Sequence, residues 1–421
     1  MKLDTLCVQA GYEPKNGEAR VIPIAQSTTF VYDSAETMGN LFDLKEEGFF
    51  YTRLGNPTLD AVEKKIAALE GGVGAMLTSA GQAASLISVT NIAKAGDHIL
   101  ASAAIYGGTF NLFNKTLRDL GIDFDFVSPT ISAEDLDKLF KPNTKAVFIE
   151  TVTNPSLDVV DIEMFASVAH AHHVPLIVDN TFATPVNCRP FEWGADIVVH
   201  STSKYMDGHA VALGGCVVDS GNFDWTKGDF PMLTTPDETY HGVVYTEQFG
   251  KAAYIVKCRT HLMRDFGSQQ SPQNAFLLNL GLETLHLRMA RHCANAQKVA
   301  EFLENNSNVE WVNYPGLPSN QYYEIAKKYM PNGTCGVISV GVKGGKEGAA
   351  RFMEALKLAK IVIHVADART CVLHPATTTH RQLSDQQLID AGIAPNMIRL
   401  SVGIEDPEDI IADLEQALEK V

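Results

Sequence analysis

The chain has 421 residues, of which 34 are lysine or arginine and 50 are aspartate or glutamate, so its formal net charge is −16 with neutral histidines. Because the excess is negative and no basic cluster offsets it, composition argues against electrostatic binding to nucleic acid or to an anionic membrane. Hydrophobic residues make up 45% and charged residues 20%, which is typical of globular chains and excludes disordered and fibrous classes.

The apolar runs, the first residues and the cysteines of the chain bear on its cellular location and on metal binding. No apolar run approaches the roughly 20 residues of a membrane-spanning helix, and the start, Met1-Lys2-Leu3-Asp4, has no signal-peptide core. The seven cysteines are scattered and never form a C-x-x-C pair, so neither a disulfide framework nor a zinc site is expected. The sequence therefore predicts a cytoplasmic protein without a metal ion and without a membrane partner.

The first 219 residues contain an arm followed by alternating elements. Residues 1–57 are predicted to be an N-terminal arm with a short helix near Ala35–Leu41, and Thr58–Leu69 has the apolar spacing of an amphipathic helix. Seven β-type runs follow: Gly74–Leu77, His98–Leu100, Phe124–Val127, Ala146–Ile149, Leu176–Val178, Ile197–Val199 and Gly215–Val218. Helix-type segments separate most of them, namely Ala83–Ala95, Phe110–Leu120, Ala133–Phe140 and Ile162–Ala171. This alternation predicts a mostly parallel sheet covered on both faces.

The remaining half of the chain departs from this rhythm. The segment Asn222–Tyr254 is rich in aromatic and polar residues and is predicted to be an ordered excursion. A long helix near Asn274–Glu304 leads into a region whose predicted strands are Gly336–Val340 and Ile398–Val402 and whose predicted helices are Lys346–Leu358 and Pro407–Leu418. We therefore expect an α/β chain with a large domain at 58–258, built on a mostly parallel seven-stranded sheet, and a smaller α+β domain at 259–421.

Two successive strand ends carry the chemistry. One apolar run ends at Asp179, and the next ends before a segment that contains Ser201, Ser203 and Lys204. Ligands of open α/β sheets bind beyond the carboxyl ends of the strands, so we expect Asp179 and Lys204 to face one crevice. A lone strand-end Asp is usually a helix cap and a lone Lys is usually solvated. Together they suit pyridoxal phosphate, which needs an amine for its aldehyde, an acid for its ring nitrogen and hydroxyls for its phosphate.

Competing motifs are missing. No G-x-G-x-x-G opens a helix after a strand, and Gly345-Lys346 lacks the upstream Gly and the Ser/Thr of a P-loop. Ser79 stands in no G-x-S-x-G motif, because Leu77 occupies the position of the first Gly. Dehydrogenase, kinase and hydrolase functions therefore lose their usual support.

Seven short segments stand in a fixed order along nearly the whole chain. They are Ser79–Ala83, Tyr106–Thr109, Glu150–Pro155, Asp179–Thr181, Ser201–Tyr205, His374–Ala376 and Arg399–Gly403. Together they resemble the Cys/Met-metabolism pyridoxal-phosphate enzymes, and this implies a fold-type I structure. Further segments are similar to the O-acetylhomoserine sulfhydrylase branch of that family: Tyr240–Gly242, Leu282–Leu285, Arg288-Met289, Arg291–Cys293 and Thr377–His380.

The resemblance implies a γ-replacement. Acetate would leave Cγ of O-acetylhomoserine, and sulfide or a small thiol such as methanethiol would take its place, which yields homocysteine or methionine. One alternative is γ-elimination by a methionine γ-lyase or a cystathionine lyase, but methionine γ-lyases characteristically carry Cys directly after Tyr-Gly, where this chain has Gly108. A second alternative is a non-catalytic binding protein of the same fold.

The resemblance also implies roles for individual residues. Lys204 would bond to the cofactor aldehyde and move protons, Asp179 would pair with the ring nitrogen, and Tyr106 would stack on the ring. Asn154 would orient the ring hydroxyl and contact the substrate. The phosphate would be bound by the backbone N–H groups of Gly81 and Gln82, at a helix N-terminus, and by the hydroxyls of Ser201 and Ser203.

Two further pairs of residues complete this expected site. Tyr51 and Arg53 are similar to a phosphate clamp that a neighbouring subunit lends, so a dimer at least, and by resemblance a tetramer, is expected. Arg399 is similar to the arginine that binds the substrate α-carboxylate. His364 stands where relatives usually have Ser or Asn, which places the second carboxylate contact in question.

Overall fold

The computed structural model describes residues 1–378, 381 and 393–421. Thr379 and His380, the last two residues of one quoted motif, lie outside the described residues.

The larger sheet is the scaffold of the molecule. Its seven strands are β1 (Gly74–Thr78), β2 (His98–Ser102), β3 (Asp123–Val127), β4 (Thr144–Glu150), β5 (Leu176–Asp179), β6 (Ile197–His200) and β7 (Gly215–Asp219). They lie in the order β1-β7-β6-β5-β4-β2-β3. Strands β6, β5, β4, β2 and β3 run parallel, whereas β7 is antiparallel to both of its neighbours. The predicted mostly parallel seven-stranded sheet is confirmed, and each observed strand contains its predicted run.

Helices cover both faces of this sheet, as its two apolar clusters require. The first half of the chain contributes α1 (Leu3–Gln9), α2 (Ala35–Phe42), α3 (Pro57–Glu70), α4 (Gly81–Thr90), α5 (Gly107–Asn111), α6 (Ala133–Asp137), α7 (Ile162–Ala171) and α8 (Thr184–Asn187). Helix α3 shows why the sequence marks its ends so clearly. Asn56 accepts the backbone N–H of Thr58 at the N-terminus, and Gly71, with φ of 82°, ends the helix in the left-handed region.

The excursion after β7 is ordered, as predicted. It contains the short helices α9 (Pro231–Thr234), α10 (Tyr245–Phe249) and α11 (Ala253–Lys257), which continues through a π-helical turn into α12 (Arg264–Phe266). Its aromatic residues form a buried cluster in which the rings of Trp225 and Tyr254 stack 5.2 Å apart. Burial of these large apolar surfaces explains why a segment without long elements folds against the sheet.

The C-terminal region holds the second sheet. Its strands are β8 (Val309–Asn313), β9 (Val337–Val342), β10 (Lys360–Ile361), β11 (Cys371–Leu373) and β12 (Met397–Ser401), in the order β10-β11-β12-β9-β8. The accompanying helices are α13 (Pro272–Glu283), α14 (Leu285–Glu304), α15 (Tyr323–Tyr329), α16 (Gly345–Ala355) and α17 (Pro407–Leu418). The smaller α+β region is thus confirmed, while the boundaries 1–57, 58–258 and 259–421 stay predictions.

Several predicted helices differ from the observed ones. The helix expected over Asn274–Glu304 is broken at Thr284, and Phe110–Leu120 is a short α-helix followed by a π-helical turn. The helices expected over Ala83–Ala95, Ala133–Phe140 and Lys346–Leu358 end early, at Thr90, Asp137 and Ala355. Just before the break at Thr284 the packing is close, since a Cβ on Gly281 would lie 2.4 Å from the carbonyl oxygen of Met206. Periodicity in the sequence does not reveal such a long-range contact.

All seven cysteines are unpaired and buried. None of the helices in the described ranges combines the length and the apolar character needed to cross a bilayer.

Candidate active site

A cavity of about 480 Å³ opens where the carboxyl ends of β4, β5 and β6 meet the start of α4 and the second sheet. It brings together ten of the twelve residues predicted for the site: Gly81, Gln82, Tyr106, Asn154, Asp179, Ser201, Ser203, Lys204, His364 and Arg399. Tyr51 and Arg53 do not line it. The expectation that Asp179 and Lys204 face one crevice is therefore met by the geometry.

Lys204 presents a largely buried amine to this cavity. Its Nζ lies 3.3 Å from Nδ1 of His364, within hydrogen-bond distance. Burial, and next to it the nearby charge of Arg399, lower the pKa of Lys204 to about 8. A larger fraction of this amine than of an ordinary lysine is therefore uncharged, and only the uncharged amine can attack an aldehyde.

Asp179, at the end of β5, carries a partly buried carboxyl group without an ion pair among the described residues. Its Oδ1 accepts hydrogen bonds from the backbone N–H of Thr181, at 3.0 Å, and from the Thr181 hydroxyl. Burial raises the pKa of Asp179, whereas these two bonds and the charge of His200 oppose the rise. A cation that enters the cavity would stabilise the carboxylate, and a protonated ring nitrogen is such a cation.

Glu150 is a site residue for which the sequence predicts no role. It ends β4, lines the cavity and lies in register with Asp179 on the adjacent strand. Its Oε1 accepts the backbone N–H of Tyr106 at 2.7 Å. Burial, and secondly the charge of Asp179, raise the pKa of Glu150 well above its ordinary value. The sequence signal that could have identified Glu150 is its place as an acidic residue at the end of the strand next to that of Asp179.

Arg399 joins the second sheet to the cavity. From β12 its Nη1 donates to Oδ1 of Asn154 at 3.2 Å, and its Nη2 donates to the carbonyl oxygens of Ile363 and His364 at 3.1 and 3.2 Å. Within the described ranges, neither its buried Nε nor the buried Nε2 of His364 has a hydrogen-bond partner. Burial lowers the pKa of His364 to about 4, so its imidazole is neutral near pH 7. These two nitrogens can serve an anionic group of a ligand.

The opposite end of the cavity suits a phosphate. Helix α4 begins at Gly81, and the first N–H groups of a helix have no partner within it. A Cβ on Gly81 would lie 2.7 Å from Cβ of Ser201, so the helix start and this serine form one close-packed cradle. The hydroxyl of Ser203 already exchanges hydrogen bonds with the backbone of Gly214, at 2.9 and 3.1 Å. The amine, the unpaired carboxyl group and this cradle together fit pyridoxal phosphate.

Tyr106 and the predicted clamp differ in their surroundings. Tyr106 lines the cavity with a ring that is half exposed, at 49%. Arg53 lies outside the cavity, where its guanidinium stands 5.0 Å above the Tyr51 ring and donates to the carbonyl oxygen of Arg264. A single chain therefore does not bring Tyr51 and Arg53 to its own phosphate cradle.

A buried arginine supports the segment that follows Lys204. Arg288, from one of the branch motifs, donates to the carbonyl oxygens of Tyr205, Met206 and Gly281 at 2.7, 3.3 and 2.6 Å. Burial lowers the pKa of Arg288 to about 10. The motif thus acts at a distance from the cavity, by holding the backbone beside Lys204 against the joint between α13 and α14.

Comparisons with known proteins show the family of the chain. Residues 4–419 match the family model of the Cys/Met metabolism PLP-dependent enzymes. The chain is 47% identical over 420 residues to a homocysteine synthase of Schizosaccharomyces pombe, with 99% of this chain and 98% of the relative covered. It is 48% identical over 402 residues to an O-acetyl-L-homoserine sulfhydrylase of Corynebacterium glutamicum, with 94% and 92% covered.

A solved structure is also similar over its whole length. It is that of a Campylobacter jejuni protein assigned as an O-acetylhomoserine (thiol)-lyase, with a TM-score of 0.96, 37% identity and 100% of both chains covered. That protein carries N'-pyridoxyl-lysine-5'-monophosphate at position 205 of its chain.

Proposed function

The chain belongs to the family of Cys/Met metabolism PLP-dependent enzymes, and from this premise we propose that it converts O-acetylhomoserine and sulfide, or a small thiol such as methanethiol, into homocysteine or methionine and acetate. The observation that carries the proposal is the shared cavity of Lys204, Asp179 and Arg399, an amine, an acid and a carboxylate-binding group around one space. The names of the relatives support the acetylated donor and the sulfur nucleophile.

Lys204 and Asp179 would perform the chemistry at the cofactor. Bound in this cavity, pyridoxal phosphate supplies an aldehyde for an amine and a protonated ring that accepts electron density. Lys204 would first hold the aldehyde and would then, as a free amine, remove protons from Cα and Cβ of the substrate and return them. Asp179 would keep the ring nitrogen protonated. The pyridoxyl-lysine of the Campylobacter protein, one number away in a chain covered throughout, supports Lys204 as the attachment point.

Other residues would hold the reactants in place. Gly81, Gln82, Ser201 and Ser203 would bind the phosphate, with Ser203 first giving up its bonds to the Gly214 backbone. Tyr106, which lines the cavity and is half exposed, would stack on the heterocycle. Fixing the heterocycle at both ends and on one face is what lets a single bond at Cα align for cleavage.

Arg399 would bind the substrate α-carboxylate. Three of its five guanidinium N–H groups donate to protein oxygens, one from Nη1 and two from Nη2. Among the described residues its buried Nε has no partner, so this N–H can serve a ligand. We propose that Nε of Arg399 and Nε2 of His364 donate to the two carboxylate oxygens, and that Asn154 orients the ring hydroxyl and the substrate from the same side. His364 would thus supply the contact that Ser or Asn supplies in relatives.

The charges of the cavity support acetyl over succinyl as the leaving group. Among the described residues that line the cavity, the cationic side chains are Lys204 and Arg399. Lys204 would serve the cofactor aldehyde and Arg399 the substrate α-carboxylate, so neither would pair with a charge on the leaving group. His364 is neutral near pH 7 because burial lowers its pKa to about 4. A succinyl carboxylate would therefore be buried without a positive partner, which is costly, whereas an acetyl group has no such charge.

A donor and nucleophile panel tests the reaction. O-acetyl-, O-succinyl- and O-phosphohomoserine are each combined with sulfide or methanethiol, and homocysteine, methionine, ammonia and 2-oxobutyrate are quantified. We expect homocysteine from the acetyl donor and sulfide, and a kcat/KM for the succinyl donor lower by about 100-fold or more, since one buried polar mismatch accounts for such factors. Ammonia and 2-oxobutyrate from methionine as the dominant products would instead make the protein a γ-lyase.

We propose that Tyr51 and Arg53 complete the phosphate site of a neighbouring subunit. The active unit is then at least a dimer, and a tetramer built from such dimers also meets this requirement. In support, both residues lie outside their own chain's cavity. Arg53→Ala and Lys204→Ala should each be nearly inactive alone, whereas a mixture of the two, unfolded and refolded together, should regain roughly a quarter of the activity through mixed dimers. Mixed samples as inactive as their components would contradict sharing.

The unpaired state of all seven cysteines supports a reducing compartment. A cytoplasmic location remains a prediction, and the unpaired cysteines are the observation that supports it.

A further inference from the structure

Two acidic side chains stand next to each other at the floor of the cavity. Glu150 ends β4 and Asp179 ends β5, and the two residues are register partners on parallel strands. Neighbouring strands lie about 4.8 Å apart, and register partners project from the same face of a sheet. Both side chains line the cavity. Two carboxyl groups so placed, away from bulk water, repel strongly if both are ionised.

The partners of Glu150 do not include a cation. Its Oε1 accepts the backbone N–H of Tyr106 at 2.7 Å. Over residues 1–378, 381 and 393–421, no ion pair is formed by Glu150. Its carboxyl group therefore connects the end of β4 to the segment that carries the predicted stacking ring.

The groups around Glu150 leave Asp179 the better site for the negative charge. Asp179 faces Glu150 from β5, Tyr106 from the segment before α5, and Lys204 and Arg399 stand on other walls of the cavity. Burial, then the Asp179 charge, raise the pKa of Glu150, and the hydrogen bond from the Tyr106 backbone only partly offsets this rise. Asp179, by contrast, has two hydrogen bonds from Thr181 and would gain the ring nitrogen.

We propose that Glu150 keeps its proton in the working enzyme and acts as a neutral positioning residue, which holds the backbone of Tyr106 in place and leaves Asp179 as the single carboxylate that faces the heterocycle. The inference rests on the proposed function only in taking the cavity as the site of the ring. A neutral Glu150 explains how a second acid can lie beside Asp179 without competing for the ring proton or weakening the ionisation of Asp179.

Three substitutions separate a neutral from a charged Glu150. Glu150→Gln has the shape of the protonated acid, keeps an oxygen for the Tyr106 N–H and carries no charge, so cofactor affinity, kcat and the pH profile should stay within about threefold of the wild type. Glu150→Asp keeps the acid but is one methylene too short for the contact with the Tyr106 backbone. Cofactor affinity should then fall about tenfold, as expected for the loss of one hydrogen bond, and Glu150→Ala should be weaker still.

An infrared measurement reads the proton directly and does not depend on turnover. The difference spectrum between the wild-type holoenzyme and Glu150→Gln near pH 7 should contain the C=O stretch of a protonated carboxyl group, displaced on exchange into heavy water. Thermal melting of each variant shows that it is folded. A carboxylate signal in place of that band, or a loss of more than 100-fold in Glu150→Gln, would overturn the neutral state. Wild-type affinity in Glu150→Asp would overturn the positioning role.

The same experiment distinguishes the two proposals. Should the protein bind pyridoxal phosphate and give the expected infrared band, yet form no homocysteine from O-acetylhomoserine and sulfide, the proposed function would fail while the role of Glu150 stands.

Discussion

Lys204→Ala is expected to abolish homocysteine formation and, at the same time, the visible absorption band of the bound cofactor. Lys204 is the one lysine among the described residues that line the cavity. Without Lys204, no amine is present to bond to the aldehyde or to transfer protons at Cα and Cβ of the substrate. General acid–base and nucleophilic contributions together predict a loss of at least about 10⁴-fold in kcat. The measurement is a spectrum of the purified variant after incubation with the cofactor, followed by the sulfide assay.

A second buried lysine provides the matched control. Lys257 is buried, and its pKa is likewise lowered by burial, but its Nζ donates to the backbone oxygen of Asn91 at 3.1 Å and it does not line the cavity. Lys257→Met should keep the visible band, even where the protein is less stable. A retained band in Lys204→Ala, or its loss in Lys257→Met, would mean that the cofactor is held elsewhere.

The pH dependence of cofactor uptake gives a further check on Lys204. Because burial and Arg399 lower the pKa of Lys204 to about 8, its uncharged fraction rises about tenfold per pH unit below pH 8 and levels off above it. The rate at which the visible band appears in cofactor-free protein should follow that curve. A rate that continues to rise towards pH 10 would indicate an ordinary lysine.

Asp179→Asn is expected to reduce kcat by about 10²–10³-fold, which is the usual cost of removing one charge-stabilising group from an active site. The amide has nearly the same shape as the acid but cannot hold a proton on the ring nitrogen, so the developing negative charge at Cα loses its acceptor. KM should change less, since Arg399 and His364, not Asp179, are proposed to bind the substrate carboxylate. The visible band should also shift, because the ring protonation changes.

Asp219→Asn is the control for Asp179. Asp219 is also a buried aspartate at the end of a strand, and it accepts the backbone N–H of Gly221 at 2.8 Å. Since β7 runs antiparallel to β6, its last residue lies at the opposite edge of the sheet from Asp179. Asp219→Asn should therefore leave the absorption band and KM unchanged. An unshifted band and near-normal kcat in Asp179→Asn would refute the pairing of Asp179 with the ring.

Much of the site was predictable because the relevant signals are local. Asp179 and Lys204 each follow an apolar run of four or so residues, and consecutive parallel strands bring their ends to one edge of a sheet. Gly81 could be placed in the same way, since it opens a helix directly after a strand. The contacts of Arg399 could not be predicted from local signals. Its partner Asn154 is more than 200 residues away in the chain, and the backbone oxygens of Ile363 and His364 are about 35 residues away.

By itself the amino-acid sequence determined the alternation of strands and helices, the mostly parallel sheet, the family motifs and the pairing of an acid with a lysine at neighbouring strand ends. These features depend on periodicity and on short spacings, which a linear chain displays directly. Only the tertiary structure decided that Glu150 lies beside Asp179, that α13 and α14 separate at Thr284, and that Tyr51 and Arg53 stand apart from their own cavity. Each of these depends on desolvation, close backbone approach or chain crossing, and such properties exist only once distant segments have packed together.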